Sequence, residues 1–107
     1  ADNKAESKTE VMKGETLLEE QKKGATVIDV RPTAQYSEGH IKDALSIPED
    51  VIEKEIEAKF PKKDTKIILY CNTGNKSGKA LEKLKKLGYT NVFNAQGVKQ
   101  YQYELVK

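Results

Sequence analysis

Short apolar runs alternate along this chain with stretches in which apolar residues recur at helical spacing. The runs are "TVIDVR" (26–31), "ALSIP" (44–48), "TKIILYC" (65–71) and "TNVFNA" (90–95), and they read as strands. The first and third are rich in Val and Ile, as strands buried on both faces require. Between them, "GETLLEEQKKG" (14–24) predicts a helix with Leu17 and Leu18 inward and Gly24 as its stop. "TAQYSEGH" (33–40) predicts a turn or two of helix closed by Gly39. "EDVIEKEIEAKF" (49–60) sets Val51, Ile52, Ile56 and Phe60 on one face, and "SGKALEKLKKLG" (77–88) sets Ala80, Leu81, Leu84 and Leu87 on another, ending at Gly88. "VKQYQYELVK" (98–107) is read as a last helix whose Val98, Tyr101 and Leu105 pack back on the sheet. Strands alternating with helices predict a parallel α/β sheet covered on both faces.

Residues 1–9 show no apolar periodicity and are expected to be a flexible lead-in, leaving 10–107 as one domain. The 107 residues suit a single core. The balance of 19 Lys and Arg against 17 Asp and Glu leaves a net charge of +2, which argues against a nucleic-acid partner. No apolar run nears the ~20 residues of a membrane span, so no membrane partner is expected. The polar start "ADNKAESKTE" fits a mature periplasmic or otherwise exported product, and equally a cytoplasmic chain; export is the expectation carried forward. A single cysteine and a single histidine exclude an internal disulfide and the usual multi-thiolate or paired-histidine metal sites. Neither metal nor cofactor is expected, and any chemistry at Cys71 is thiol chemistry.

That thiol ends the strongest strand and opens the loop "CNTGNKS" (71–77). In parallel α/β sheets ligands bind beyond the carboxyl ends of the strands. Gly74, with Asn72 and Asn75, permits left-handed backbone, so the N–H groups from Asn72 through Ser77 can turn inward as an anion nest. A helix starting near Ser77 would add its positive end, and Lys76 a cation at the rim. Such surroundings lower a thiol's pKa and make a thiolate available near neutrality. A buried structural thiol is the bland alternative, which the glycine-containing loop disfavours.

Three marks in order carry a family resemblance: Asp-Val-Arg at 29–31, Glu-Gly-His-Ile at 38–41 followed by Ala44, and Cys-x-x-Gly-x-Lys-Ser at 71–77. Together they resemble a single-domain rhodanese-like sulfurtransferase over most of residues 11–107. The resemblance implies an α/β, rhodanese-like fold with a central, mostly parallel, five-stranded sheet and helices on both faces. It also implies transfer of a sulfane sulfur from a small anionic donor, thiosulfate or polysulfide, to cyanide or a thiol through a persulfide on Cys71. Asn72, Thr73, Gly74, Asn75, Lys76 and Ser77 would bind substrate. Lys76 stands where many relatives carry Arg, Asp43 where they commonly have Gly, and "AQG" (95–97) where a Gly-Gly pair is more usual. A carrier module passing persulfide sulfur to a protein partner is the alternative function, and a monomer or a homodimer is compatible with either.

Asp29 and Arg31 read as a strand-end ion pair with an architectural role, and His40 as a structural hydrogen-bonding residue in preference to a base for the thiol. The lysines of 79–86 read as a solvated helix face. A cysteine phosphatase also places a thiolate before a helix, but it needs Arg six residues after the cysteine to clamp phosphate, and Ser77 stands there.

Overall fold

The computed structural model describes residues 11–107; the predicted lead-in at 1–9 lies outside the described residues. Helix α1 (Gly14–Lys22) leads into β1 (Thr26–Asp29), α2 (Thr33–Glu38), β2 (His40–Ile41), β3 (Leu45–Ser46), α3 (Ile52–Lys59), β4 (Ile67–Tyr70), α4 (Asn75–Lys86), β5 (Val92–Asn94) and β6 (Leu105–Val106). β1, β3, β4 and β5 form a parallel sheet in the order β3-β1-β4-β5, while β2 and β6 pair antiparallel as a separate ribbon. Where five strands were expected, the central sheet has four. Beyond β5 the described residues add a single parallel bridge, Met12 with Ala95, before the chain turns into α1 at Gly14.

Alternation along the central strands divides the core. Ile28, Ile67 and Leu69 face α3 and α4, joining Ile52, Ile56, Ala80, Leu81 and Leu84. Val27, Ile68 and Tyr70 face the other way, joining Leu17 of α1, Ile41 and Tyr103. Each buried Leu or Ile side chain contributes about 1.5–3 kcal/mol from removal of apolar surface from water. The sheet is therefore pinned from both sides. Among the described residues no helix is long and apolar enough to cross a membrane.

Two predicted elements differ from the structure. The fourth predicted helix begins at Asn75, two residues before Ser77, with Gly74 as its N-cap in left-handed conformation (φ 91°). The predicted last helix does not form. Residues 98–100 make one turn, with the Gln100 and Tyr101 N–H groups donating to Gly97 O, and the chain then extends into β6. "QYQYE" alternates polar and aromatic residues with the period of a strand. Tyr103 is accordingly buried and donates its hydroxyl to Gln96 O at 2.6 Å, whereas Leu105, expected to pack inward, is exposed.

β1 lies between β3 and β4, so the chain crosses over β1 in passing from β3 to β4. The order thus reverses between β1 and β4, and their carboxyl ends frame the crevice where such sheets bind ligands. A buried polar network fixes those ends. Asp29, fully buried, accepts from Arg31 Nε at 3.0 Å, from Arg31 Nη2 at 2.6 Å and from the Tyr70 hydroxyl at 2.9 Å. Arg31 Nη2 also donates to Gly39 O (2.6 Å), and the Tyr70 oxygen accepts the Ile41 N–H (3.0 Å). Burial, then the Asp29 charge, hold the Tyr70 phenol far above its ordinary value, so it stays a donor.

Removing the carboxylate would leave a buried guanidinium uncompensated. Asp29→Ala is expected to lower unfolding free energy by about 3–5 kcal/mol in a urea titration, with a smaller loss for Tyr70→Phe.

Candidate active site

Cys71 follows β4 at the carboxyl end of the sheet, 3% exposed and packed with the α3–α4 side of the core, and the loop then doubles back into α4. Left-handed Gly74 makes that reversal possible, and it aims the first N–H groups of the helix at the cysteine sulfur. Gly74 N–H donates to Cys71 Sγ at 3.1 Å and Ser77 N–H at 3.4 Å. The Ser77 hydroxyl oxygen is a further 3.4 Å neighbour of the sulfur. Burial pushes the Cys71 thiol up. The hydrogen bonds a thiolate would accept, from the Ser77 hydroxyl once it turns to the sulfur and from the N–H groups of Ser77, Gly74 and Thr73, outweigh it, and the thiol lies below its ordinary value.

The other predicted site residues divide by what their side chains touch. Asn72 donates Nδ2 to Gln35 Oε1 at 3.0 Å, tying the loop to α2. Thr73, Asn75 and Lys76 are exposed on the outer side of the loop. Lys76 lines a cleft of about 410 Å3 with Pro32, Thr33, Glu49 and Asp50. Ser77 is fully buried. Asp29 and Arg31 pair with each other beneath the crevice. His40 lies in β2, where its Nδ1 donates to Tyr36 O at 2.9 Å and its ring stacks on Tyr36 with centroids 3.8 Å apart. The sulfur's partners are amides and Ser77, not the imidazole. Asp43 has a left-handed φ of 68°, a conformation Asp tolerates.

Two contributors escape the local reading. The segment after β5 braces the loop from behind: Val98 N–H donates to Cys71 O and Lys99 N–H to Asn72 O, both at 3.0 Å. Gly97 allows this approach, since a Cβ there would lie 2.2 Å from Asn72 O and 2.5 Å from Cys71 O. Asn94, ending β5, accepts the Ser77 hydroxyl at Oδ1 (2.5 Å) and reaches Gly74 O through Nδ2 (3.4 Å). The available signal was position: Asn94 is a polar residue closing an apolar strand at the same end of the sheet as Asp29 and Cys71.

A helix N-terminus here converges on a cysteine sulfur at the carboxyl end of a central parallel strand of a doubly covered α/β sheet. Residues 14–102 match the Rhodanese-like domain family, and the chain belongs to that family. It is 40% identical over 80 residues to the thiosulfate sulfurtransferase PspE of Escherichia coli strain K12, covering 75% of this chain and 77% of that protein. It is also 36% identical to a tRNA uridine(34) hydroxylase of Enterobacter sp. strain 638, but the match covers 68% of this chain and only 22% of that protein. Among solved structures, one described as a rhodanese with anions from E. coli superposes with a TM-score of 0.72 at 38% identity, covering 78% of this chain and 99% of that one. A rhodanese-related protein from Thermoplasma volcanium gives 0.71 at 28% identity, covering 90% and 96%.

The rate of Cys71 alkylation by iodoacetamide, followed against pH, should titrate below the ~8.5 of a free cysteine and return towards it in denaturant. By linkage, the stability this shift contributes is fully present above the unfolded-state pKa and is lost as pH falls through the folded-state one. Gly97→Ala forces a methyl group into the Asn72 carbonyl. It should lower unfolding free energy by about 1–3 kcal/mol and move the alkylation midpoint upward.

Proposed function

We propose that this protein is a sulfurtransferase that moves a sulfane sulfur from thiosulfate or polysulfide to a thiophilic acceptor through a persulfide on Cys71. The observation that carries the reading is the cradle of N–H donors on the Cys71 sulfur at the start of α4. The relationship to a thiosulfate sulfurtransferase supports it. The Cys71 thiolate attacks the outer sulfur of thiosulfate, a new S–S bond forms, and the old one breaks with its electron pair leaving on sulfite. The acceptor, cyanide or a thiol, then attacks the outer sulfur and the Cys71 thiolate departs. The loop favours the ionised form of Cys71 and the leaving groups are stable anions, so from the thiolate onward neither half needs a general base. The same amides that stabilise the thiolate hold the anionic persulfide.

Phosphate transfer fits this site less well. The chain's single arginine, Arg31, is buried against Asp29 and cannot clamp phosphate oxygens at the loop. Lys76 supplies a cation there as a point charge without a fork. A second reading is a persulfide carrier serving a protein partner. It is favoured by the exposure of Thr73, Asn75 and Lys76, which leaves the outer side of the loop open to a large acceptor.

Steady-state rates with thiosulfate and cyanide should give parallel double-reciprocal lines, the signature of a ping-pong reaction, and Cys71→Ser should give no rate above background. Lys76→Ala should raise the donor KM roughly threefold to tenfold with kcat retained; an unchanged KM removes Lys76 from donor binding. Turnover only when a protein thiol replaces cyanide would favour the carrier reading.

A further inference from the structure

The Ser77 hydroxyl has one proton and two claimants. Its oxygen lies 2.5 Å from Asn94 Oδ1 and 3.4 Å from Cys71 Sγ. The Asn94 amide is oriented by its other end, since Nδ2 faces Gly74 O at 3.4 Å, which leaves Oδ1 towards Ser77. An amide oxygen only accepts, so at 2.5 Å the hydroxyl must be donating to it. Ser77 then has no proton for the sulfur, and presents a lone pair that suits a neutral S–H pointing at it.

Ionisation of Cys71 upsets this arrangement. A thiolate accepts only, so a Ser77 hydroxyl still turned to Asn94 would face the negative sulfur with its own lone pairs. If the hydroxyl turns to the sulfur, Asn94 Oδ1 loses its donor in a buried site, where Ser77 is 0% and Asn94 9% exposed. Neither arrangement satisfies all three groups. Asn94 cannot easily step aside: its backbone is paired with β4 across from Leu69, and its carbonyl accepts the Met12 N–H at 2.7 Å.

We propose that Asn94 is a positioning residue that competes with the Cys71 sulfur for the single Ser77 hydroxyl proton, and so sets how readily the thiol ionises. The loop amides favour the thiolate; Asn94 restrains it by holding away the one donor that could turn towards or away from the sulfur. The nucleophile's acidity is thus set from β5, a strand far from Cys71 in sequence and outside the active-site loop. Its consequence for catalysis rests on the reading of Cys71 as the sulfur carrier, whereas the test reads the thiol's acidity alone.

The pH dependence of Cys71 alkylation separates this role from a purely structural one. Asn94→Ala frees the hydroxyl for the sulfur and should lower the alkylation midpoint by about one pH unit, a tenfold gain in thiolate below it. Asn94→Asp holds the proton more strongly and should raise it. In a Ser77→Ala background, where there is no proton to compete for, the Asn94→Ala shift must collapse and the Asn94→Asp shift must shrink to the direct effect of its charge. An unmoved or raised midpoint in Asn94→Ala, or a shift of equal size without the Ser77 hydroxyl, overturns the proposal. If Asn94→Ala does not fold by circular dichroism, Asn94→Asp carries the test. A direct charge effect of the new carboxylate would persist in Ser77→Ala, and the competition would not. The intact mass of the wild-type protein after treatment with thiosulfate is read separately, so a failure of sulfur transfer and a failure of this competition remain distinguishable.

Discussion

A helix that begins without a capping side chain needs an acceptor for its first N–H groups, and here that acceptor is the sulfur of Cys71. Gly74, the N-cap, has no side chain to offer, and the hydroxyl of Ser77 is turned to Asn94. Gly74 N–H and Ser77 N–H therefore converge on Sγ. The helix end is satisfied best when the sulfur is charged, and the sulfur is most easily charged at the helix end. Structure and reactivity depend on the same contacts, so the loop cannot be loosened without weakening both.

The contacts hold only if β4 and the loop keep their places, and two features of the fold secure them. Beneath the crevice, Asp29, Arg31 and Tyr70 tie β1 to the residue preceding Cys71, and through Gly39 and Ile41 to the start of β2. Behind the loop, the backbone of 97–99 accepts no side chain at Gly97 and donates to the carbonyls of Cys71 and Asn72. The first is a buried ion pair hydrogen-bonded to Tyr70 and to the Gly39 carbonyl, and the second is close backbone packing. Neither contacts the sulfur itself, and each restricts where it can lie.

Much of this was legible in the sequence because it is local. Apolar runs and helical spacing identified the parallel strands and the helices that flank them, and the Gly-containing loop after "IILY" marked the thiol as more than a core residue. What was misjudged depends on long-range contacts or on competing periods. "VKQYQYELVK" sets Val98, Tyr101 and Leu105 at helical spacing, but the alternation of "QYQYE" within it leads into the strand that pairs with β2. α4 starts two residues before the position the sequence suggests, since Ser77 resembles a cap in sequence while its hydroxyl is engaged by Asn94 from β5. The fifth strand expected from resemblance is reduced to the bridge at Met12. Asn94 and Gly97 reach the site through the order of strands in the sheet, which no window of sequence around Cys71 contains.

The central claim is that the cradled sulfur of Cys71 accepts and holds a sulfane sulfur, and intact-mass spectrometry after incubation with thiosulfate or polysulfide, without acceptor, tests it most directly. The expected result is a gain of one sulfur atom that is lost on adding cyanide or dithiothreitol and never seen in Cys71→Ser. A folded protein that gains no sulfur from either donor, or gains it equally in Cys71→Ser, would contradict it.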